Sequence, residues 1–173
     1  MKNAEGVVNA MIAGGVADSV RVKIYQERNY KVAIHAITLR RADGTLLVPQ
    51  GVPSASTLET ILNEIWGQAC IRFEVGRADA TLSYDLDGDG KLRDYGDAAE
   101  MTIVYGVATA DVDVNIYYVN AVASGRRATG SINWVFVGCD GRQVGSTVEA
   151  HELGHTQIAS NLPHDPAPDN LNP

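Results

Sequence analysis

Residues 146–160 read STVEAHELGHTQIAS, and this stretch carries the clearest structural signal in the chain. Ser146 followed three residues later by Glu149 is a capping box, which predicts a helix that begins here and runs through His155 to about residue 160. Its middle spells HExxH, with His151 and His155 four residues apart. Because residues at that spacing project from one helical face, both imidazoles are expected to bind a single metal ion. We refer to this predicted helix as helix B.

Glu152, inside the HExxH motif, is the predicted general base. Zinc bound by three protein ligands keeps a fourth position for water and lowers the pKa of that water toward neutrality, so a neighbouring carboxylate can take its proton. The alternative is an amphipathic helix with two surface histidines. Three of the four histidines fall between residues 151 and 164, and this clustering favours a hydrolytic zinc site.

The third zinc ligand has to come from downstream or from a distant segment. Downstream of His155 the ionisable side chains are His164, Asp165 and Asp169, and no glutamate follows Glu152. His164 is the predicted ligand, because a neutral imidazole suits zinc and the helix stop before it could turn the chain back. It could instead be a solvent-exposed loop residue, since four of the six prolines lie between residues 163 and 173.

Upstream of helix B, the pattern predicts strands on both sides of one further helix. Ser56 and Glu59 form a second capping box, and apolar residues at helical spacing then mark helix A up to a stop at Gly67. Runs rich in β-branched and aromatic residues predict strands at 20–25, 30–39, 71–75, 101–105, 112–119 and 131–137. His35, in the second of these strands, is interpreted as a packing or surface residue.

Length and composition favour one globular domain of 173 residues and 18.5 kDa. The 14 basic and 21 acidic residues give a net charge of -7 without a basic cluster, so no nucleic-acid partner is expected. No apolar run approaches the roughly 18 residues that a membrane span requires. Cys70 and Cys139 match no metal or redox spacing and could form one disulfide or remain two buried thiols, with thiols slightly favoured.

The chain is expected to have a short N-terminal segment, residues 1–19, ahead of a main domain at 20–173. An apolar stripe between Val7 and Ile12, ended by Gly14 and Gly15, predicts a weak helix in this segment. Polar residues and glycines interrupt the stripe, so it makes a poor secretion signal.

Residues 85–100, DLDGDGKLRDYGDAAE, hold six of the 21 acidic residues. Aspartates alternate ahead of Gly90 as in the first half of a calcium loop, but the twelfth position is Gly96 rather than a bidentate glutamate, so an ordinary EF-hand is not predicted. The predicted calcium ligands are Asp85, Asp87, Asp89, the Lys91 carbonyl, Asp94 and Asp97, with Glu100 as a further candidate to replace the missing glutamate. Such an ion would be structural, and a solvated acidic turn is the alternative.

From His151 onward the chain reads HELGHTQIASNLPHDPAPDNLNP, which resembles the HExxHxxGxxH segment of the metzincin clan of zinc endopeptidases, in particular its matrixin-like and related secreted bacterial members. Helix A, a set of strands and then helix B is also the order of elements in such catalytic domains. The resemblance implies an α+β fold over most of residues 20–173, with a twisted mixed β-sheet, a long helix A and an active-site helix B. It also implies a secreted enzyme with a peptide or protein substrate.

The sequence departs from the metzincin pattern at two places. Ile158 stands at the clan's glycine position and Asn161 at its third histidine, while His164 restores the spacing three residues late, as a three-residue insertion would. Residues 170–173 resemble a Met-turn without its methionine, and no methionine follows Met101. The catalytic domain is therefore expected to be incomplete at its C-terminus.

Two functions are therefore expected as alternatives. In the first, the chain is a zinc endopeptidase in which His151, His155 and His164 hold the metal, Glu152 activates water, and a peptide lies extended along a sheet edge. In the second, it is a catalytically degenerate metzincin-like domain, a calcium-stabilised binding or structural module of a larger secreted protein. The displaced third histidine favours the second function, whereas retention of Glu152 favours catalysis.

Overall fold

The computed structural model describes residues 4–12, 15–24, 27–94, 99–124, 128–131, 133–139 and 146–156. Within these ranges the chain is a mixture of strands and helices, as expected of an α+β fold. The strands are β1 (Ala4–Ile12), β2 (Gly15–Ile24), β3 (Arg28–Arg40), β4 (Leu46–Leu47), β5 (Ile71–Arg77), β6 (Ala80–Leu82), β7 (Val114–Val119), β8 (Ala128–Ser131) and β9 (Trp134–Gly138). The helices are α1 (Ala55–Trp66), α2 (Ala99–Tyr105) and α3 (Ser146–Gly154).

Strand β3 is central to the larger sheet, which has seven strands within the described residues. It pairs in parallel with β5, β6 and β7 and antiparallel with the two-residue β4. Strand β7 then pairs in parallel with β9, and β8 completes that side as an antiparallel edge strand. The sheet is therefore mixed, as predicted.

Most of the predicted strands are confirmed, with changes at their ends. The strand predicted at 20–25 lies in β2, those at 30–39 and 71–75 in β3 and β5, and that at 112–119 in β7. The strand predicted at 131–137 is divided, because β8 ends at Ser131 and β9 begins at Trp134. Strands β4, β6 and β8 were not predicted, since two to four residues are too few to show a period.

The N-terminal segment forms a hairpin, so the weak helix predicted within residues 1–19 is wrong. Strands β1 and β2 pair antiparallel from Ala4 with Ile24 to Ile12 with Gly15. Gly14 and Gly15 lie between two runs rich in valine and isoleucine, a pattern that is typical of a hairpin. A stripe of four apolar residues is too short to separate the helical period from the strand period, and backbone pairing with β2 determines the outcome.

Helix α1 confirms helix A but starts from a different cap. Ser54, rather than Ser56, caps it, because the Ser54 hydroxyl accepts a 3.1 Å hydrogen bond from the Thr57 N–H. Glu59 does not complete a capping box; its Oε2 accepts a 2.9 Å hydrogen bond from the Val75 N–H instead. This contact attaches α1 to β5, the strand that follows it.

Residues 99–105 form helix α2, so the strand predicted at 101–105 is wrong. Their β-branched content favours a strand locally. Met101 and Val104, three residues apart, are nevertheless both buried in the core, and Glu100 beside them is buried as well. Helical spacing brings these residues to one side, and their packing overrides the weak local preference.

The larger sheet is covered on both faces by separate apolar clusters. Alternate side chains of β3 and β7 point to opposite faces. One face carries Val32, Ile34, Ile116 and Tyr118, packed with α1 and α3, and the other carries Ile37, Leu39, Tyr117 and Val119, packed with α2. Burial on both faces explains why these strands are almost continuously apolar. Helix α3 belongs to the first face.

Both cysteines are thiols rather than a disulfide, in line with the sequence expectation. Cys70 is half-buried and has a positive φ of 56° at the turn before β5. Cys139 is buried directly after β9.

Candidate metal centre on helix α3

Helix α3 presents the two histidines of the HExxH motif on its outer side. It packs against α1, β8 and β9. Ala150 and Leu153 are buried against that surface, whereas His151 and His155 are exposed. Buried and exposed side chains therefore follow the helical period, and the imidazoles lie on the accessible side.

The imidazoles of His151 and His155 converge. Their Nε2 atoms lie 3.1 Å apart, and the ring centroids are 4.8 Å apart with the ring planes at 79°. Two nitrogens bound to one tetrahedral zinc at 2.0–2.1 Å would be separated by about 3.3 Å. The observed separation is close to this value, and it is also the length of an N–H···N hydrogen bond between the two rings.

Glu152 is half-buried and immediately follows His151 on α3. It lies between the buried and the exposed sides of the helix, next in sequence to one of the two converging rings. Its role as the general base stays a prediction.

Helix α3 ends earlier than predicted. It begins at Ser146 as expected but ends at Gly154, rather than continuing through His155 to about residue 160. His155 N–H donates to the Glu152 carbonyl and Thr156 N–H to the Leu153 carbonyl, at 3.0 and 3.1 Å, which are the short i→i−3 bonds of a tightening last turn. The Thr156 hydroxyl also donates to the Leu153 carbonyl, at 2.6 Å, and so competes with a further turn.

The predicted third ligand, His164, lies outside the described residues, as do Asn161 and the tail at 163–173. The predicted three-residue insertion before His164 also lies outside the described residues.

Glu149 has a role that the sequence pattern did not indicate. We interpreted it as part of a capping box, but its side chain is fully buried, and its Oε1 accepts a 2.9 Å hydrogen bond from the Tyr118 hydroxyl of β7. Burial raises the pKa of the Glu149 carboxyl. Its second oxygen, Oε2, has no hydrogen-bond partner among the described residues. The sequence contains a signal for this burial, because Glu149 lies four residues before Leu153 on the apolar side of the helix.

Gly154, the next-to-last residue of the motif, lies beside Trp66 of α1. A Cβ atom at this position would lie 3.7 Å from two carbons of the Trp66 ring, which is ordinary van der Waals contact, so this packing does not require glycine.

The acidic loop brings together a set of carboxylates that only partly agrees with the prediction. Single oxygens of Asp85, Asp87 and Glu100 all lie within 4.8 Å of one another. Glu100 is contributed by α2 and was only a further candidate in the sequence pattern. Its carboxylate also accepts backbone hydrogen bonds from Leu86 and Arg93, at 2.8 and 2.7 Å. Gly90 has φ of +81°, the left-handed turn expected of glycine there.

The remaining predicted calcium ligands are placed differently. Asp89 Oδ1 accepts the N–H of Lys91, at 2.8 Å, and Asp89 does not belong to the group of converging carboxylates. Asp94 accepts hydrogen bonds from the backbone and hydroxyl of Ser124. Asp97 lies outside the described residues. These interactions suit either a calcium loop or a solvated acidic turn, so calcium binding remains a prediction.

Comparison of the chain with models of known protein families finds no match, and comparison with proteins of established function finds no similar sequence. Among the described helices, none is both long enough and apolar enough to cross a membrane. The candidate function therefore depends on the residues of α3 themselves.

Proposed function

We propose that this chain is a zinc-dependent endopeptidase of the metzincin type. The observation that carries the proposal is the 3.1 Å separation of the His151 and His155 Nε2 atoms on the exposed side of α3. Two exposed imidazoles gain little from packing, and their convergence suits a shared cation. His164 is the proposed third ligand.

Glu152 supplies the proton transfer in this proposal. When bound, zinc would polarise the scissile carbonyl and lower the pKa of a coordinated water toward neutrality. A carboxylate oxygen of Glu152 accepts a proton from water as the water oxygen forms a bond to the carbonyl carbon. The same carboxylic acid then gives that proton to the amide nitrogen as the C–N bond breaks, so Glu152 returns to its ionised form.

The substrate in this proposal is an extended peptide beside β8. Strand β8 is an edge strand that pairs with β9 on one side, and α3 packs against it. An extended peptide can add to such an edge through backbone hydrogen bonds, with its side chains alternating toward and away from the helix.

Metal analysis together with one conservative variant tests the proposal. Purified protein supplied with zinc at neutral pH should hold close to one zinc per chain, and His151→Ala should lose it. Glu152→Gln should keep the zinc but lose peptide hydrolysis by roughly a hundredfold to ten-thousandfold, the usual worth of a general base. Glu64→Gln changes an exposed glutamate of α1 in the same way and should leave both zinc and hydrolysis unchanged. Wild-type protein without stoichiometric zinc would contradict the proposal.

The second candidate is a degenerate metzincin-like module that binds or supports a partner without cleaving it. The observation in its favour is Asn161 at the position of the clan's third histidine. Wild-type protein that binds zinc yet cleaves no peptide in a mixed peptide library would favour this second function.

A further inference from the structure

His35 is a fully buried histidine whose two ring nitrogens both have a partner. It lies on β3, in the middle of the larger sheet, with 0% of its surface exposed. Its Nδ1 lies 2.8 Å from the carbonyl oxygen of Ala78, in the connection between β5 and β6. Its Nε2 lies 2.8 Å from Oδ1 of Asn115, on β7. The ring thus spans two neighbours of β3.

Both of these partners are hydrogen-bond acceptors. The Ala78 carbonyl has no hydrogen to donate. The Asn115 amide is oriented by Thr109, whose N–H donates to Oδ1 at 2.9 Å and whose carbonyl accepts from Nδ2 at 3.4 Å. Reversing the amide would set its NH₂ against the Thr109 N–H and its oxygen against the Thr109 carbonyl. The atom that faces His35 is therefore an oxygen.

A neutral imidazole carries a hydrogen on one nitrogen only, so it can satisfy only one of these two oxygens. With either tautomer, the other nitrogen would direct a lone pair at an acceptor oxygen in a site closed to water. Only the ring with hydrogens on both nitrogens satisfies Ala78 and Asn115 together. From this geometry we infer that His35 is an imidazolium ion in the folded protein. Its two ring hydrogens join Ala78, in the β5–β6 connection, to Asn115 on β7.

The surroundings of His35 can support a buried cation. The Tyr117 ring of β7 stacks on it, with centroids 4.9 Å apart and an interplanar angle of 21°, which is a favourable place for a cation over an aromatic face. Asp79, next to Ala78, contributes a carboxylate that accepts the Ala36 N–H at 3.1 Å. Arg77 shares that carboxylate, at 2.9 Å. Tyr105 of α2 contacts Tyr117 on this face.

Loss of the His35 proton would release part of this face of the sheet. A ring with one hydrogen keeps one hydrogen bond and loses the other, so its second nitrogen would direct a lone pair at the Ala78 carbonyl oxygen or at Asn115 Oδ1. Asn115 is bonded to Thr109, so the disturbance reaches the loop that precedes β7.

Nitrogen NMR on the full chain tests the inference directly. In ¹⁵N-labelled protein at pH 5.5, long-range ¹H–¹⁵N correlations should show two protonated ring nitrogens for His35, with His35→Gln identifying its resonances. A folded protein whose His35 ring has one unprotonated nitrogen at pH 5.5 would overturn the inference, because the ring would then be neutral in acid.

Discussion

The hydroxyl of Tyr118 donates a 2.9 Å hydrogen bond to Oε1 of Glu149, and both side chains are fully buried. Tyr118 lies on β7 and Glu149 on α3, two residues before His151. The central part of the sheet is therefore joined from inside to the helix that carries the candidate metal ligands. Burial raises the pKa of the Glu149 carboxyl, and the Tyr118 hydroxyl provides the one hydrogen bond of its side chain among the described residues.

Tyr118→Phe should destabilise the fold by about 1–3 kcal/mol, because it leaves Glu149 buried without a donor. Urea unfolding measures the change. Tyr84→Phe is the matched control, since the Tyr84 hydroxyl is equally buried but has no partner among the described residues. The control should cost less than about 0.5 kcal/mol. Equal losses in the two variants would contradict a contribution from the Tyr118–Glu149 bond.

Calcium should raise the melting temperature of the protein if the acidic loop binds it, since binding to the folded state alone adds stability by mass action. At calcium a hundredfold above its Kd, the gain would be about 2.7 kcal/mol. Asp87→Ala and Glu100→Gln should abolish this gain, because both carboxylates belong to the converging group.

The Asp89→Ala variant tests whether Asp89 is a calcium ligand, as the sequence pattern predicts, or lies outside the ligand group, as in the structure. The pattern includes Asp89 as a ligand, whereas in the structure its side chain caps the Lys91 N–H outside the group. The variant should therefore keep most of the calcium response. If calcium does not change the melting temperature of the wild type, the loop does not bind calcium and is a solvated acidic turn.

Stability should depend on the ionisation of Asp79 in acid. Partial burial alone would raise the pKa of this carboxyl, but hydrogen bonds from Arg77 and from the Ala36 N–H outweigh it and hold the pKa below its ordinary value near 3.8. Because folding lowers this pKa, the contribution of Asp79 is present above the ordinary value and is lost as the pH falls through the folded value.

Asp79→Asn should therefore be destabilised relative to the wild type at pH 7, and the difference should shrink as the pH falls below the ordinary pKa. Urea unfolding at a series of pH values measures it. Arg77→Gln should remove part of the same pH dependence. A wild-type minus Asp79→Asn difference that stays constant down to the lowest pH at which both fold would argue against the ionised Asp79 interaction.

His164→Ala tests the predicted third ligand. If His164 binds the metal, its loss should weaken zinc binding by more than about tenfold. Mutation of a residue that only supports a metal ligand already weakens metal binding by about tenfold to a hundredfold. Asp165→Ala, at the neighbouring position, should change zinc affinity little. Zinc affinity that is the same in His164→Ala and the wild type would remove His164 from the site and favour the degenerate module.

The sequence predicted elements best where a buried face repeats over many residues. The apolar spacing of helix A and the alternating or continuous apolar runs of β3, β5 and β7 agree with the structure. The stretches around Val7 and Met101 were misinterpreted because four to seven residues fit a helical and a strand period equally well. There, pairing of β1 with β2 and burial of Met101 and Val104 determined the outcome.

By itself, the sequence determined that His151 and His155 lie on the same outer side of α3 and of the turn that ends it, because spacing along a helical turn is a local property of the chain. Only the tertiary structure decided that Glu149 meets Tyr118, that Glu100 joins Asp85, and that His35 faces two oxygens. Tyr118 and Glu149 are 31 residues apart in the chain, and His35 and Asn115 are 80 apart. No local period encodes such pairs, because they exist only once the sheet has brought distant strands and helices into contact.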